Sequence, residues 1–176
     1  MAFCAWLTKK DRAAGRLAEG EVYRLPAESE WENACRGKEQ GTKFWWGNSV
    51  AEGQGRMNGA SADKVGDSPT NNIYEVKFPW SDGFPFVSPV DHFGTRGRNG
   101  FGLADMLGNV WEWCADFYQD GEGVHEEVNT VNPPRRVDRG SSFRGVAGCR
   151  CAFRSGNSPN RAYSYGGFRV VLGVGR

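Results

Sequence analysis

The residues best suited to chemistry lie in one stretch, Phe101-Gly102-Leu103-Ala104-Asp105-Met106-Leu107-Gly108-Asn109-Val110-Trp111-Glu112-Trp113. Asp105 and Glu112 are carboxylates on either side of Gly108-Asn109, a turn-forming pair. A hard cation such as calcium takes several oxygens at about 2.3–2.6 Å, from carboxylates and backbone carbonyls together. A glycine-containing bend between two carboxylates can aim its carbonyls at the same point. The same residues also read as a plain turn, with Asp105 as a cap and Glu112 exposed on a strand. Asn58 and Asp82 could serve a second cation, although nothing local singles them out.

Other reactive residues give weaker patterns. Cys4, Cys35, Cys114, Cys149 and Cys151 are odd in number and irregular in spacing, which predicts mostly buried, reduced thiols. Cys149-Arg150-Cys151 would send its thiols to opposite faces if it were a strand, so the two would not share one soft metal ion. His92 and His125 are isolated from any arrangement that resembles a triad, and no glycine-rich loop leads into a helix to cradle phosphate.

The last 38 residues differ in composition. Lys, Glu, Gln, Met and Trp occur 31 times in residues 1–138 and not once in 139–176. The segment uses Arg, Tyr, Ser, Gly and Asn instead, residue types common on adaptable binding surfaces. Tyr and Arg make strong anchors because each carries a large contact area and a polar end. Phe143, Arg144, Val146, Phe153, Tyr163 and Tyr165 are the candidate contacts. A glycine-rich core strand and loop would be the plain alternative.

Few regular elements are available to position these residues. Ala2, Phe3, Trp6 and Leu7 recur at helical spacing and predict an amphipathic helix ending near Gly15. It opens at residue 1 with no cap. Pro26 suits the first turn of a second helix, with Glu28 and Glu30 near its positive end. Ala27, Trp31, Ala34 and Cys35 form its buried stripe, and Gly37 suits the stop. From Gly41 to about Asn99 no helical period is present, so loops with brief strands are expected. Trp111 to Tyr118 and Phe168 to Leu172 read as strands, with Trp111 and Phe168 in the core.

Composition bounds the class. A chain of 176 residues fits one domain with a sizeable core. The 22 basic and 21 acidic residues leave a net charge of +1, which argues against a nucleic-acid binder. The 7 Trp, 5 Tyr and 11 Phe argue against disorder. No apolar run approaches a membrane span, so no membrane insertion is expected. Charge follows the apolar start rather than preceding it, the reverse of a secretory signal, and the sequence does not give a localisation.

Val22-Tyr23-Arg24-Leu25-Pro26-Ala27-Glu28-Ser29-Glu30-Trp31-Glu32, Trp46-Gly47-Asn48, Gly102 through Trp113 and Gly167-Phe168-Arg169-Val170 occur in an order that resembles the formylglycine-generating enzyme, or sulfatase-modifying factor, family. The resemblance covers nearly the whole chain. It implies an α+β, C-type-lectin-like fold: two helices, short twisted strands and much irregular structure, in a single domain over 1–176. It also implies a strand ahead of the first helix, which this chain lacks, so a truncated or unusual member is expected. The positions matching Asp105, Gly108, Val110 and Glu112 would surround one structural calcium, Gly108 and Val110 through their carbonyls. Those matching Asn58, Gly59 and Asp82 would surround another.

The family's signature enzymes oxidise a substrate cysteine to formylglycine with copper and oxygen. They use two cysteines, four residues apart between them, after a Gly-Gly-Ser-aromatic stretch. Here that stretch is Gly140-Ser141-Ser142-Phe143, and the first cysteine position falls on Gly145. Without the thiolate pair copper has no soft ligands, so copper is not expected. A second branch with this fold is the variable protein of diversity-generating retroelements, in which adenines of a C-terminal repeat are rewritten. Randomised AAC or AAT codons cannot yield Lys, Glu, Gln, Met or Trp, the set missing from 139–176. Phe143, Arg144, Gly145 and Val146, then Phe153, Ser155 and Asn157, then Ala162, Tyr163, Ser164 and Tyr165 sit where such proteins vary. The leading expectation is a non-catalytic protein that binds a protein or surface ligand on this face. The alternatives are a formylglycine-generating-type oxidase and an accessory domain of the family.

Overall fold

A computed structural model describes residues 1–59, 78–119, 133–145 and 148–174. Val146, one of the expected contacts, lies outside them, as does His125. The order is α1 (Ala2–Ala13), β1 (Glu21–Arg24), α2 (Glu28–Arg36), β2 (Trp111–Phe117), β3 (Arg136–Arg139), β4 (Arg154–Asn157), β5 (Gly166–Gly167) and β6 (Val171–Val174). Among the described residues the architecture is α+β, with two α-helices, two small sheets and long irregular stretches.

Helix α2 forms as its sequence dictates. Ala27 offers no capping side chain, but the Glu30 carboxylate reaches back to accept the Ala27 amide at 2.7 Å. Trp31 and Cys35 are fully buried, and Gly37 ends the helix at φ 62°. Helix α1 matches its expected bounds but not its expected face. Phe3 and Trp6 are 43% and 54% exposed, while Cys4, Thr8 and Asp11 are buried. The physical reason is a polar anchor. Thr8 Oγ1 accepts the Tyr23 amide at 2.8 Å, and Asp11 accepts both the Tyr23 hydroxyl and Arg16.

One sheet pairs β1 with β6, antiparallel, with Tyr23 opposite Leu172. The other runs β4-β3-β2-β5. Its register sets Glu112 opposite Arg139, and Trp113 opposite Asp138 opposite Ser155. Directly opposed residues share a face, and successive residues alternate faces. Glu112, Cys114, Val137 and Arg139 therefore point one way, into the core against Trp31 and Cys35. Trp113, Asp138, Ser155 and Asn157 point the other way.

The C-terminal strand is displaced from its expectation. The Val-rich run pairs from Val171, and Phe168 is 40% exposed, set against Phe3 of α1 with ring centroids 5.3 Å apart. The expectation of a core Phe168 is thus corrected: Arg169, the next residue, is the one turned inward. Trp111 is half-buried rather than core. Trp31→Ala should cost about 3–5 kcal/mol, as a fully enclosed aromatic truncated to a cavity. Phe168→Ala should cost on the order of 1 kcal/mol or less. Urea unfolding of the two variants checks the ranking.

Candidate functional site

Gly108 and Asn109 turn the chain where three segments meet. Gly108 has φ 80°, and a Cβ there would stand 2.1 Å from the Asn58 carbonyl oxygen, so only glycine fits. Its amide donates to Gly140 O, and the Asn109 amide donates to Asn58 O. The Asn109 side chain accepts the Ser88 amide at 3.0 Å and an Asn58 amide hydrogen at 3.3 Å. Its own NH2 donates back to Ser88 O, and its carbonyl accepts the Phe143 amide.

Seen from this bend, the two expected cation sets differ. Glu112 is buried rather than exposed on its strand. Its Oε2 accepts Trp31 Nε1 at 2.6 Å and Arg169 Nε at 2.5 Å, and its Oε1 accepts the other arm of Arg169 at 2.6 Å. Arg169 also donates to the carbonyls of Ala104 and Asp105. A guanidinium thus neutralises Glu112 and leaves it one open lone pair. Asp105 accepts the Asp91 amide at 2.7 Å, and burial pushes its carboxyl up. The Asn58, Gly59 and Asp82 set fits a hard cation better. Asn58 is fully buried, and its Oδ1 has no hydrogen-bond partner. Asp82 is buried and accepts the amide of Gly59, the residue after Asn58, at 2.8 Å and the Phe84 amide at 2.9 Å. A buried carbonyl oxygen left without a partner, and a buried carboxylate, are each costly unless something meets them.

The outward face of the larger sheet collects most of the expected contacts. Tyr163 and Tyr165 stack with centroids 4.6 Å apart, and the Arg144 guanidinium lies 5.1 Å over Tyr165. Tyr163 packs against the edge strand because Gly166 has no Cβ; one there would meet the ring at 2.4 Å. Trp111 ties this group to Phe153, with rings 6.0 Å apart, and its amide donates to Tyr165 O. Arg144, Gly145, Phe153 and Tyr165 are half-buried, and Ala162 and Ser164 are exposed. Phe143 is the exception. It is buried, with its ring against Phe86, because the Asn109 carbonyl holds its amide at the bend. The expectation of an exposed Phe143 is corrected.

Beneath this group lies Asp138, which sequence reasoning missed. It is fully buried, with Oδ2 accepting Asn157 Nδ2 at 2.7 Å and the Tyr163 hydroxyl at 3.2 Å. Ser155 bonds the same carboxyl, and Oδ1 has no partner. Three expected contacts thus converge on one carboxyl. Burial raises the Asp138 pKa, and burial beside Asp138 raises that of Tyr163. The available signal was Arg136-Val137-Asp138-Arg139, an alternation that sets one acid on the face of Trp113.

All five cysteines are buried and reduced. Cys149 and Cys151 are not on a strand. Cys149 donates to Gly145 O, while Cys151 lies with its sulfur 3.2 Å from that of Cys35. Burial pushes the Cys35 thiol up. Both thiols are buried, so the opposite-face placement that a strand would give does not apply.

A small α+β scaffold, an asparagine-glycine hub and a C-terminal segment laid across one sheet face define a class. The chain belongs to the sulfatase-modifying factor enzyme 1-like domain family, whose description matches residues 1–174. It is 36% identical over 183 residues to the formylglycine-generating enzyme of Mus musculus, covering 97% of this chain and 41% of that protein. It is 34% identical over 185 residues to the inactive C-alpha-formylglycine-generating enzyme 2 of Bos taurus, covering 99% of this chain and 48% of that one. Among solved structures, Treponema denticola variable protein 1 superposes with a TM-score of 0.61 at 26% identity, over 88% of this chain and 49% of that chain. The chain spans less than half the length of these curated relatives.

The Asp138 carboxyl makes a pH prediction. Its folded pKa lies above its unfolded value, so the folded state holds the proton more tightly. The stability this gives is complete below the ordinary aspartate range, near pH ~4, and is lost as pH rises through the folded pKa. Asp138→Asn should flatten that decline, as read from urea midpoints across mildly acidic pH.

Proposed function

We propose that this chain is a non-catalytic binding protein that presents its C-terminal segment as a diversified ligand surface on a calcium-supported, lectin-like scaffold. One observation carries the reading. The segment that lacks Lys, Glu, Gln, Met and Trp supplies Arg144, Phe153, Tyr163 and Tyr165 to one sheet face, while the opposite face makes the core. Aromatic and arginine side chains in contact form the anchors that dominate protein interfaces. Likeness to a variable protein supports the same reading.

An oxidase reading finds less support. The position of the first signature cysteine holds Gly145, and Cys149 and Cys151 are buried with other partners. Likeness to an inactive relative is consistent with the fold being kept without the chemistry.

The diversification is tested by sequencing the locus across many cells. Expected is variation confined to adenine-derived codon positions for residues 143–146, 153, 155, 157 and 162–165, with a near-copy repeat beside a reverse transcriptase gene. A uniform sequence with no such repeat overturns it. Calcium would be held by Asn58, Gly59 and Asp82, and a second ion by Asp105, Gly108, Val110 and the open lone pair of Glu112. Its chemistry there would be to neutralise buried acceptors. Binding only to the native state stabilises by mass action. Chelation should therefore lower the melting temperature, and Asp82→Asn should remove the part of that shift due to the Asn58 set. A melt indifferent to chelator overturns the calcium reading.

A further inference from the structure

A cavity of about 1040 Å3 lies between α1, β1 and the β2–β3 pair. Its wall is largely apolar, with Val22 and Trp113 prominent, and its size matches sites for whole small ligands. Among the described residues, four cations line it, Lys9, Arg12, Arg24 and Arg136, and no acidic residue does. Arg24 is neutralised by Glu30 in a two-pronged pair. The other three have no acidic partner among the described residues. Arg12 donates to Glu21 O and Arg136 to Ala115 O, both backbone groups.

Charge and polarity together select the occupant. An inorganic anion would leave the apolar wall wet. A neutral apolar molecule would leave three cations at the rim unanswered, and a cationic one would be repelled. An arginine fork matches a carboxylate in geometry as well as charge. We propose that this cavity binds a free amphipathic carboxylate of the fatty-acid type, its tail along Val22 and Trp113 and its head toward Lys9, Arg12 and Arg136. The site uses α1, β1 and the β2–β3 pair and takes only Pro159, which is not among the positions read as diversified, from the C-terminal segment, so it does not depend on that face being diversified.

Titration calorimetry on the whole chain tests this with decanoate, decanol and decyltrimethylammonium, each kept monomeric. Expected is saturable one-to-one binding of decanoate, on the order of tenfold tighter than either of the others. Lys9→Glu with Arg12→Glu should weaken decanoate by on the order of tenfold or more, with the melting temperature kept, since both side chains are exposed. Lys9→Glu alone, at an exposed side chain with no hydrogen bond or ion pair among the described residues, should weaken it in the same direction. Ala5→Trp, which fills the mouth, should abolish binding of all three. Equal binding of decanoate and decanol overturns the proposal, as does full decanoate binding by the double variant. So does absence of monomer binding, whether the protein instead floats with anionic vesicles or sediments as a dimer closed over the cavity.

Discussion

With so little regular secondary structure among its described residues, this chain must satisfy its buried amides and carbonyls one at a time. The Gly108-Asn109 bend does much of that work. From two residues it reaches the 58–59 segment, Ser88, Gly140 and Phe143, segments far apart in sequence with no ladder to join them. The left-handed φ at both residues aims the amides outward in succession, and the missing Cβ at Gly108 lets the Asn58 backbone come close. Both candidate cation sets and the start of the C-terminal face hang from this bend.

The buried Glu112–Arg169 pair is the second brace. It joins β2 to the segment before β6, and Trp31 adds α2 through the same carboxylate. Removing one member of a buried pair typically costs about 3–5 kcal/mol, because the other is left uncompensated. Arg139 repeats the device from β3, fully buried over Trp31 and reaching Glu32 and three carbonyls of the 151–153 stretch. These arginines explain how charged residues stand inside a modest core.

Much of this was legible in the residues, and the exceptions have physical causes. Helix α2 announces itself through Pro26, Glu30, Trp31 and Gly37, since capping and periodicity are local. The Gly108-Asn109 turn is legible for the same reason. The buried face of α1 was not, because Thr8 and Asp11 are inward only through bonds to Tyr23, fifteen and twelve residues on. The sequence pattern places Phe143 outside because its burial depends on a bond to Asn109, far away in the chain. Phe168 looks like core in sequence because an apolar run hides which residue turns inward, and here the ion pair with Glu112 turns Arg169 in instead. Asp138 gave little signal alone. Its role arises only when register sets it under Ser155, Asn157 and Tyr163.

That last arrangement has a consequence for how sequence can drift here. A buried carboxyl with one oxygen already unpartnered tolerates little further loss of donors. Ser155, Asn157 and Tyr163 are its donors, and they belong to two separate stretches of chain. Replacing any one by an apolar residue shifts the burden to the other two. Replacing all three would strand the carboxyl or force it to keep its proton at neutral pH. Changes at these positions are therefore coupled through Asp138 rather than independent. The number of workable combinations is smaller than the product of the choices at each position, and pairs that each keep a donor should be over-represented among chains that fold.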